Sequence, residues 1–416
     1  MFKGASAVAA ALGLYAASAH AQITFWNQGE AIVAAFTEEA VVSFEAETGA
    51  RVEAQVYPNE AYKTVVQVAM GAGKQPDVFF NWGGEDAFRF VRIGRTRDLT
   101  DLAARTGLPD ALLTPYRMEG RVWGVPLTQH TVVFFYNEEV FSRLGLTAPE
   151  TLDDLAGACR VIRRDAPDLI PISLGAKEPW TITHYLTMLF TRFVPPEVRE
   201  ADDAMTAPVD ALFTHPGYEE ALLAFRDLQD AGCFNRGINS VRPEEARALF
   251  GVEVAAMTFC GTWCLSLLDQ DGLAGRYGLF PMPGAPGAAG DQDAAFIVVE
   301  GMQIAAATGE AALAERFVEH MVSVPVQADF VRRTGRLPVN PAALAEVETT
   351  DAFAESVGVL TDAPRAVMPL DMTLDNQVGQ AVYVGGQEFV NRTKTATEVV
   401  GDIRRAALRA KTRRGV

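Results

Sequence analysis

The sequence predicts an α/β chain folded into two lobes, and three observations carry that expectation. Apolar periodicity alternates between strand and helix spacing in a β-α-β-α-β order from Ile23 to Phe80. With 416 residues, the chain exceeds what one compact core holds at ~100–200 residues per domain. Strand-like segments then recur in its second half, separated by helical stretches, with segments suited to crossings between lobes.

Residues 1–21 stand apart. Lys3 is followed by an apolar run from Val8 to Ala17 and by Ala19-His20-Ala21, an A-x-A-like cleavage site, which is the pattern of a secretory signal peptide. The run falls short of the ~20 residues a membrane helix needs. No cysteine follows the cut, so a soluble exported protein beginning near Gln22 is expected.

Ile23-Thr24-Phe25-Trp26 reads as a buried strand, and Val33, Phe36, Ala40, Val41 and Phe44 recur at helical spacing up to a stop at Gly49. Residues 51–56 alternate as a second strand. A helix over 60–70 ends at Gly71-Ala72-Gly73, and residues 77–80 form a third strand. This order gives a mainly parallel sheet with helices on both faces, whose ligands sit beyond the carboxyl ends of the strands. Here those ends are Trp26-Asn27-Gln28 and Asn81-Trp82-Gly83-Gly84.

A turn and short strand at 120–126 lead into a long strand, 131–137, suited to crossing from one lobe to the other. A helix over 151–164, strands at 171–174 and 255–259 and a helix-rich middle make the second lobe α/β as well. Residues 277–283 run into a loop of proline, glycine and alanine and read as a second crossing, with a third at 335–341. The lobes then comprise residues 22–130 with 283–335, and 131–282 with 336–416.

The formal charge of −17 repels phosphate backbones, which excludes nucleic acid as a partner. The basic tail, from Arg404-Arg405 to Arg413-Arg414, reads as a solvated helix end. Four cysteines are too few for a disulfide scaffold in so long a chain, so packing must supply most of the stability. Cys260 and Cys264 lack the C-x-x-C redox spacing and a second pair to complete a zinc site. Two small buried thiols are the preferred reading of that pair, with a local disulfide as the alternative.

Catalytic constellations are missing from the sequence. His130, His184, His215 and His320 are scattered, Pro171-Ile172-Ser173-Leu174-Gly175 lacks the first glycine of a nucleophile elbow, and Gly71-Ala72-Gly73-Lys74 is no phosphate loop. Neither metal nor cofactor is expected. Acidic residues are plentiful, and paired catalytic carboxylates have no sequence spacing that would reveal them, so an exported enzyme with unrecognised carboxylates stays open as an alternative.

An ordered set of segments resembles a known family. Phe44-Glu-Ala-Glu-Thr-Gly49, Gly73-Lys-Gln-Pro-Asp-Val-Phe79, Glu119-Gly-Arg-Val-Trp-Gly-Val-Pro126, Tyr136-Asn137 followed by Leu144-Gly-Leu146, and Ala256-Met-Thr-Phe-Cys-Gly-Thr-Trp263 run in the order seen in family 1 extracellular solute-binding proteins. These are periplasmic receptors of carbohydrate ABC importers, similar in kind to maltose-binding protein. The resemblance implies a two-lobed periplasmic binding protein fold, three hinge segments, and a sugar held in the cleft between the lobes. It also implies a monomer that closes on its ligand and presents the closed form to the membrane subunits of an importer.

By the same resemblance, Trp263 matches the tryptophan of the family's Gly-Ser-Trp or Gly-Pro-Trp element, a ring that would stack on the apolar face of a pyranose. Asn81 and Trp82 fall in the cleft loop after the third strand, and Asn27 lies in the corresponding segment after the first. His130 sits where the first crossing begins, and Trp180 matches a less regular aromatic position. Glu300 and Asp371 complete the candidate set as polar residues at lobe edges.

Overall fold

A computed structural model describes residues 21–414; the predicted signal peptide lies outside them apart from Ala21. The strands in chain order are β1 (Gln22–Gln28), β2 (Arg51–Tyr57), β3 (Val78–Trp82), the small hairpin β4 (Arg117–Met118) and β5 (Arg121–Val122), β6 (Val125–Asn137), β7 (Ile170–Ser173), β8 (Ala255–Gly261), β9 (Tyr277–Phe280), β10 (Ala295–Ile304), β11 (Leu337–Pro338) and β12 (Ala366–Val367). Apart from the hairpin they join one sheet whose main path runs β2-β1-β3-β10-β6-β8-β7, with β9 and β11 on β6 and β12 on β10.

The opening elements follow from local sequence. The helix Ala31–Thr48 stops where Gly49 turns left-handed at φ 69°, and the helix Asn59–Ala72 stops at Gly73, φ 67°. β1 pairs in parallel with β2 and β3, as the β-α-β order requires. Phe25, Phe36, Phe44 and Phe317 form the centre of the first lobe's core, the last from a helix far along the chain, Ala311–Met321.

Two long strands stitch the lobes together. The first half of β6 pairs with β10 through Val125–Thr131, and its second half pairs with β8 and β9 through Val132–Asn137. β10 in turn begins beside β12 and ends against β3. The sequence reading contained no strand at 295–304. The reason is visible in the pairing: Glu300 and Gly301 interrupt the apolar run at a shift of register against β6.

The loop leading into β10 is held by Arg192, only 1% exposed. Its guanidinium donates to the carbonyls of Met282, Pro283, Asp291 and Ala294. Burial pushes this group down to about 10.

All four cysteines are paired, Cys159 with Cys233 and Cys260 with Cys264. This corrects the preferred reading of Cys260 and Cys264 as free thiols: a turn of helix-like backbone after β8 brings them to a Cα separation of 6.4 Å, within the ~4.4–6.8 Å that a bridge spans. In the basic tail Arg405, Arg409 and Arg413 are exposed, as a solvated helix end has them, and Lys411 is the exception. The tail lies in the helix Ala396–Arg414, where buried Lys411 donates to the carbonyls of Met205 and Ala207 and Arg413 pairs with Asp375.

Candidate functional site

A cavity of about 430 Å³ lies between the lobes, within the ~300–1,000 Å³ range of small-molecule sites. It opens where the parallel strands of both lobes end: Gln28, Trp82 and Ser173 close β1, β3 and β7, and Cys260 is the next-to-last residue of β8. Gly84 (φ 73°), in the first lobe, meets the second at one rim, and a Cβ there would come within 2.1 Å of the Met372 carbonyl oxygen.

Six of the eight sequence candidates line this space: Trp82, His130, Trp180, Trp263, Glu300 and Asp371. Asn27 and Asn81 do not. Successive residues of a strand point to opposite faces, so Gln28 and Trp82 take the cavity side while their asparagine neighbours turn inward. Asn27 donates to Thr37 Oγ1, and Asn81 donates to Gln303 Oε1 and the Asp86 carbonyl. Both amides are buried and hydrogen-bonded within the fold, and neither lines the cavity.

The second lobe contributes an aromatic corner. Trp263 is half-buried, its ring 5.1 Å from His130 and 6.3 Å from Trp180, both edge to face. Gly261 precedes it because the indole lies over that residue: a Cβ at Gly261 would sit 2.0 Å from the Trp263 ring. His184 stands 6.1 Å from the same ring, and burial, helped by the Lys63 charge, pushes it down to about 3. The imidazole is therefore uncharged and adds another aromatic ring to this corner. Across the cavity, Trp82 packs on Phe80 and Tyr62 with the Lys63 ammonium 5.5 Å over its ring.

Charge is distributed unevenly around these rings. Each lining cation has a carboxylate partner: Lys63 with Glu60, Arg89 with Asp86, Arg336 with Glu30 and Arg247 with Asp271. Three lining carboxylates, Glu244, Glu300 and Asp371, have no lysine or arginine partner among the described residues. Glu300 Oε2 lies 3.5 Å from His130 Nε2, while His130 Nδ1 is 3.3 Å from Thr262 Oγ1. Burial lowers His130 against the raising influence of Glu300.

Asp371 accepts a hydrogen bond from the Tyr383 hydroxyl at 2.8 Å on Oδ2, and its buried Oδ1 has no protein partner. Burial, with a smaller contribution from Asp86, raises its carboxyl from 3.8 to about 6. The folded protein thus retains a proton that the unfolded chain releases between these values. Stability from this group is present below the window and lost as pH rises through it. Asp371→Asn removes the buried charge but keeps an acceptor for Tyr383. It is expected to raise the melting temperature of the ligand-free protein at pH 8 and to leave it nearly unchanged at pH 4. Calorimetric scans at the two pH values check this, and equal shifts at both would contradict it.

Lys63, Asp86, Arg89 and Tyr383 were missed from the sequence. They sit on helices, where an isolated charge or tyrosine reads as surface. The only signal was position: Lys63 and Asp86 fall near the starts of helices that follow β2 and β3.

The sequence profile described as bacterial extracellular solute-binding protein matches residues 26–328. A multiple sugar-binding protein of Streptococcus mutans is 24% identical over 314 residues, 69% of this chain and 70% of that protein. Among solved structures, a chitin oligosaccharide binding protein superposes with a TM-score of 0.85 at 22% identity, covering 94% of this chain and 99% of the other. The solute-binding protein RafE in complex with raffinose gives 0.76 at 20% identity, with coverage of 94% and 99%. A sheet crossed by β6 and β10, a cavity at the strand ends of both lobes and a profile match over most of the described residues lead to one assignment: the chain belongs to the bacterial extracellular solute-binding proteins.

Proposed function

We propose that this protein is the soluble periplasmic receptor of a carbohydrate ABC importer, binding an uncharged sugar or oligosaccharide as a monomer and passing it to the membrane subunits. The observation that carries the reading is the pairing of aromatic rings on both lobes with carboxylates between them that no lysine or arginine neutralises. A pyranose offers C–H faces to such rings and hydroxyl donors to such oxygens. An acidic saccharide would find no uncommitted lysine or arginine on these walls. The names of the similar proteins, which bind sugars, chitin oligosaccharide and raffinose, support the same ligand class. In this reading the lobes are residues 22–130 with 283–335 and residues 131–282 with 336–416. The cleft closes by hinge movement, the ligand leaves chemically unchanged, and neither metal nor nucleic acid takes part. No helix among the described residues is long and apolar enough to cross a membrane.

A thermal-shift screen against neutral mono- to tetrasaccharides tests the proposal, beginning with raffinose, stachyose and chitotriose. A cognate sugar at ~100 times its dissociation constant should stabilise the fold by ~2.7 kcal/mol. Chromatography of the recovered sugar should show it intact. Stabilisation by no member of the panel, or release of cleavage products, would sink the reading.

A further inference from the structure

We infer that the Cys260–Cys264 disulfide is a positioning device for the binding site, holding Trp263 in the orientation that meets the ligand. This rests on the reading of the cavity as a saccharide site. The bridge spans only Gly261, Thr262 and Trp263. Closing so short a loop takes little freedom from the unfolded chain, so its value lies in local geometry.

The geometry is specific. Cys260 is the next-to-last residue of β8, paired with Val133 of β6, and it lines the cavity. Cys264 also lines the cavity but is only 1% exposed, packed in the core cluster with Val133, Phe135 and Leu265. The bridge therefore fastens the strand end to an anchored residue one turn later, and the tryptophan between them has its ring over Gly261. Thr262, in the same turn, reaches the hinge residue His130. Released from the bridge, the backbone of this turn regains its freedom and the indole loses its fixed approach to Trp180 and His184.

The test uses the mature protein labelled with 5-fluorotryptophan, whose five tryptophans give five fluorine resonances, with Trp263 assigned by Trp263→Phe. In Cys260→Ala/Cys264→Ala the Trp263 resonance should shift or broaden, while those of Trp26 and Trp123, outside the cavity, stay in place. Titration with raffinose, or with the neutral saccharide that stabilises the parent protein, should show affinity falling roughly 3- to 10-fold, the cost of ordering one mobile side chain on binding. If the double variant does not fold, Cys260→Ser alone breaks the bridge and leaves the buried Cys264 thiol in its core. Five unmoved resonances, or a moved Trp263 resonance with unchanged affinity, overturn the inference. A parent protein that binds no saccharide overturns the cavity reading instead, and the resonances still report whether the bridge fixes the ring.

Discussion

Trp263→Ala is expected to weaken saccharide binding by roughly 30- to 1,000-fold, the equivalent of ~2–4 kcal/mol at a desolvated aromatic anchor. The ring lies half-buried in the cavity wall, with His130 and Trp180 at its edges. A bound sugar would complete its burial. In the ligand-free protein much of the ring already faces the open cavity, so its removal should lower the melting temperature far less than the ~3–5 kcal/mol loss of a fully buried tryptophan implies. Titration calorimetry and thermal unfolding without sugar separate the two effects. A variant that melts much earlier yet binds normally would make Trp263 a packing residue and remove it from the site.

Loss of the Cys159–Cys233 bridge should be the most damaging change to stability. The two cysteines are 74 residues apart, both fully buried, and join the helix Leu152–Asp165 to the segment that follows the helix Gly217–Asp230. A cross-link over that length restricts the unfolded chain by roughly 4 kcal/mol. Cys159→Ala/Cys233→Ala should therefore lower the melting temperature by about 5 °C. It leaves the cavity walls untouched, so affinity measured below the transition should not change. A fall of only one or two degrees would show that packing of the helices carries the lobe without the bridge.

How far the sequence could be read depended on the range of the interactions involved. The opening β-α-β-α-β run was legible because each element carries its own signal, and Gly49 and Gly73 stop their helices where left-handed backbone is needed. β10 was not legible: it is buried in mid-sheet, where no alternation marks a strand, and Glu300-Gly301 breaks its apolar run for reasons that exist only opposite β6. The candidate site divides in the same way. Trp82 and Trp263 could be picked out as aromatic residues beside predicted strand ends, and Trp180 only through the resemblance. Asn27 and Asn81 fall away from the cavity because a one-residue step decides which side of a strand lines it. Asp371 and Tyr383 become partners of Trp82 and Lys63 only after the chain has returned from its far end. The cysteine pairs depended on tertiary placement too, since spacing alone could not tell a buried thiol from a bridge.

The strand order has a consequence for how the molecule comes into being. β10 occupies the gap between β3 and β6 although it is synthesised about half the chain later than β3. The first lobe also waits for the helices Ala311–Met321 and Val324–Thr334, and the second for the terminal helix Ala396–Arg414. Neither half can complete its core on a partly made polypeptide. Contacts of such high sequence separation form slowly, because long loops must close before burial rewards them. A growing chain built this way is without a finished core until its last segment has emerged, so a product cut short before the terminal helix would leave the second lobe incomplete.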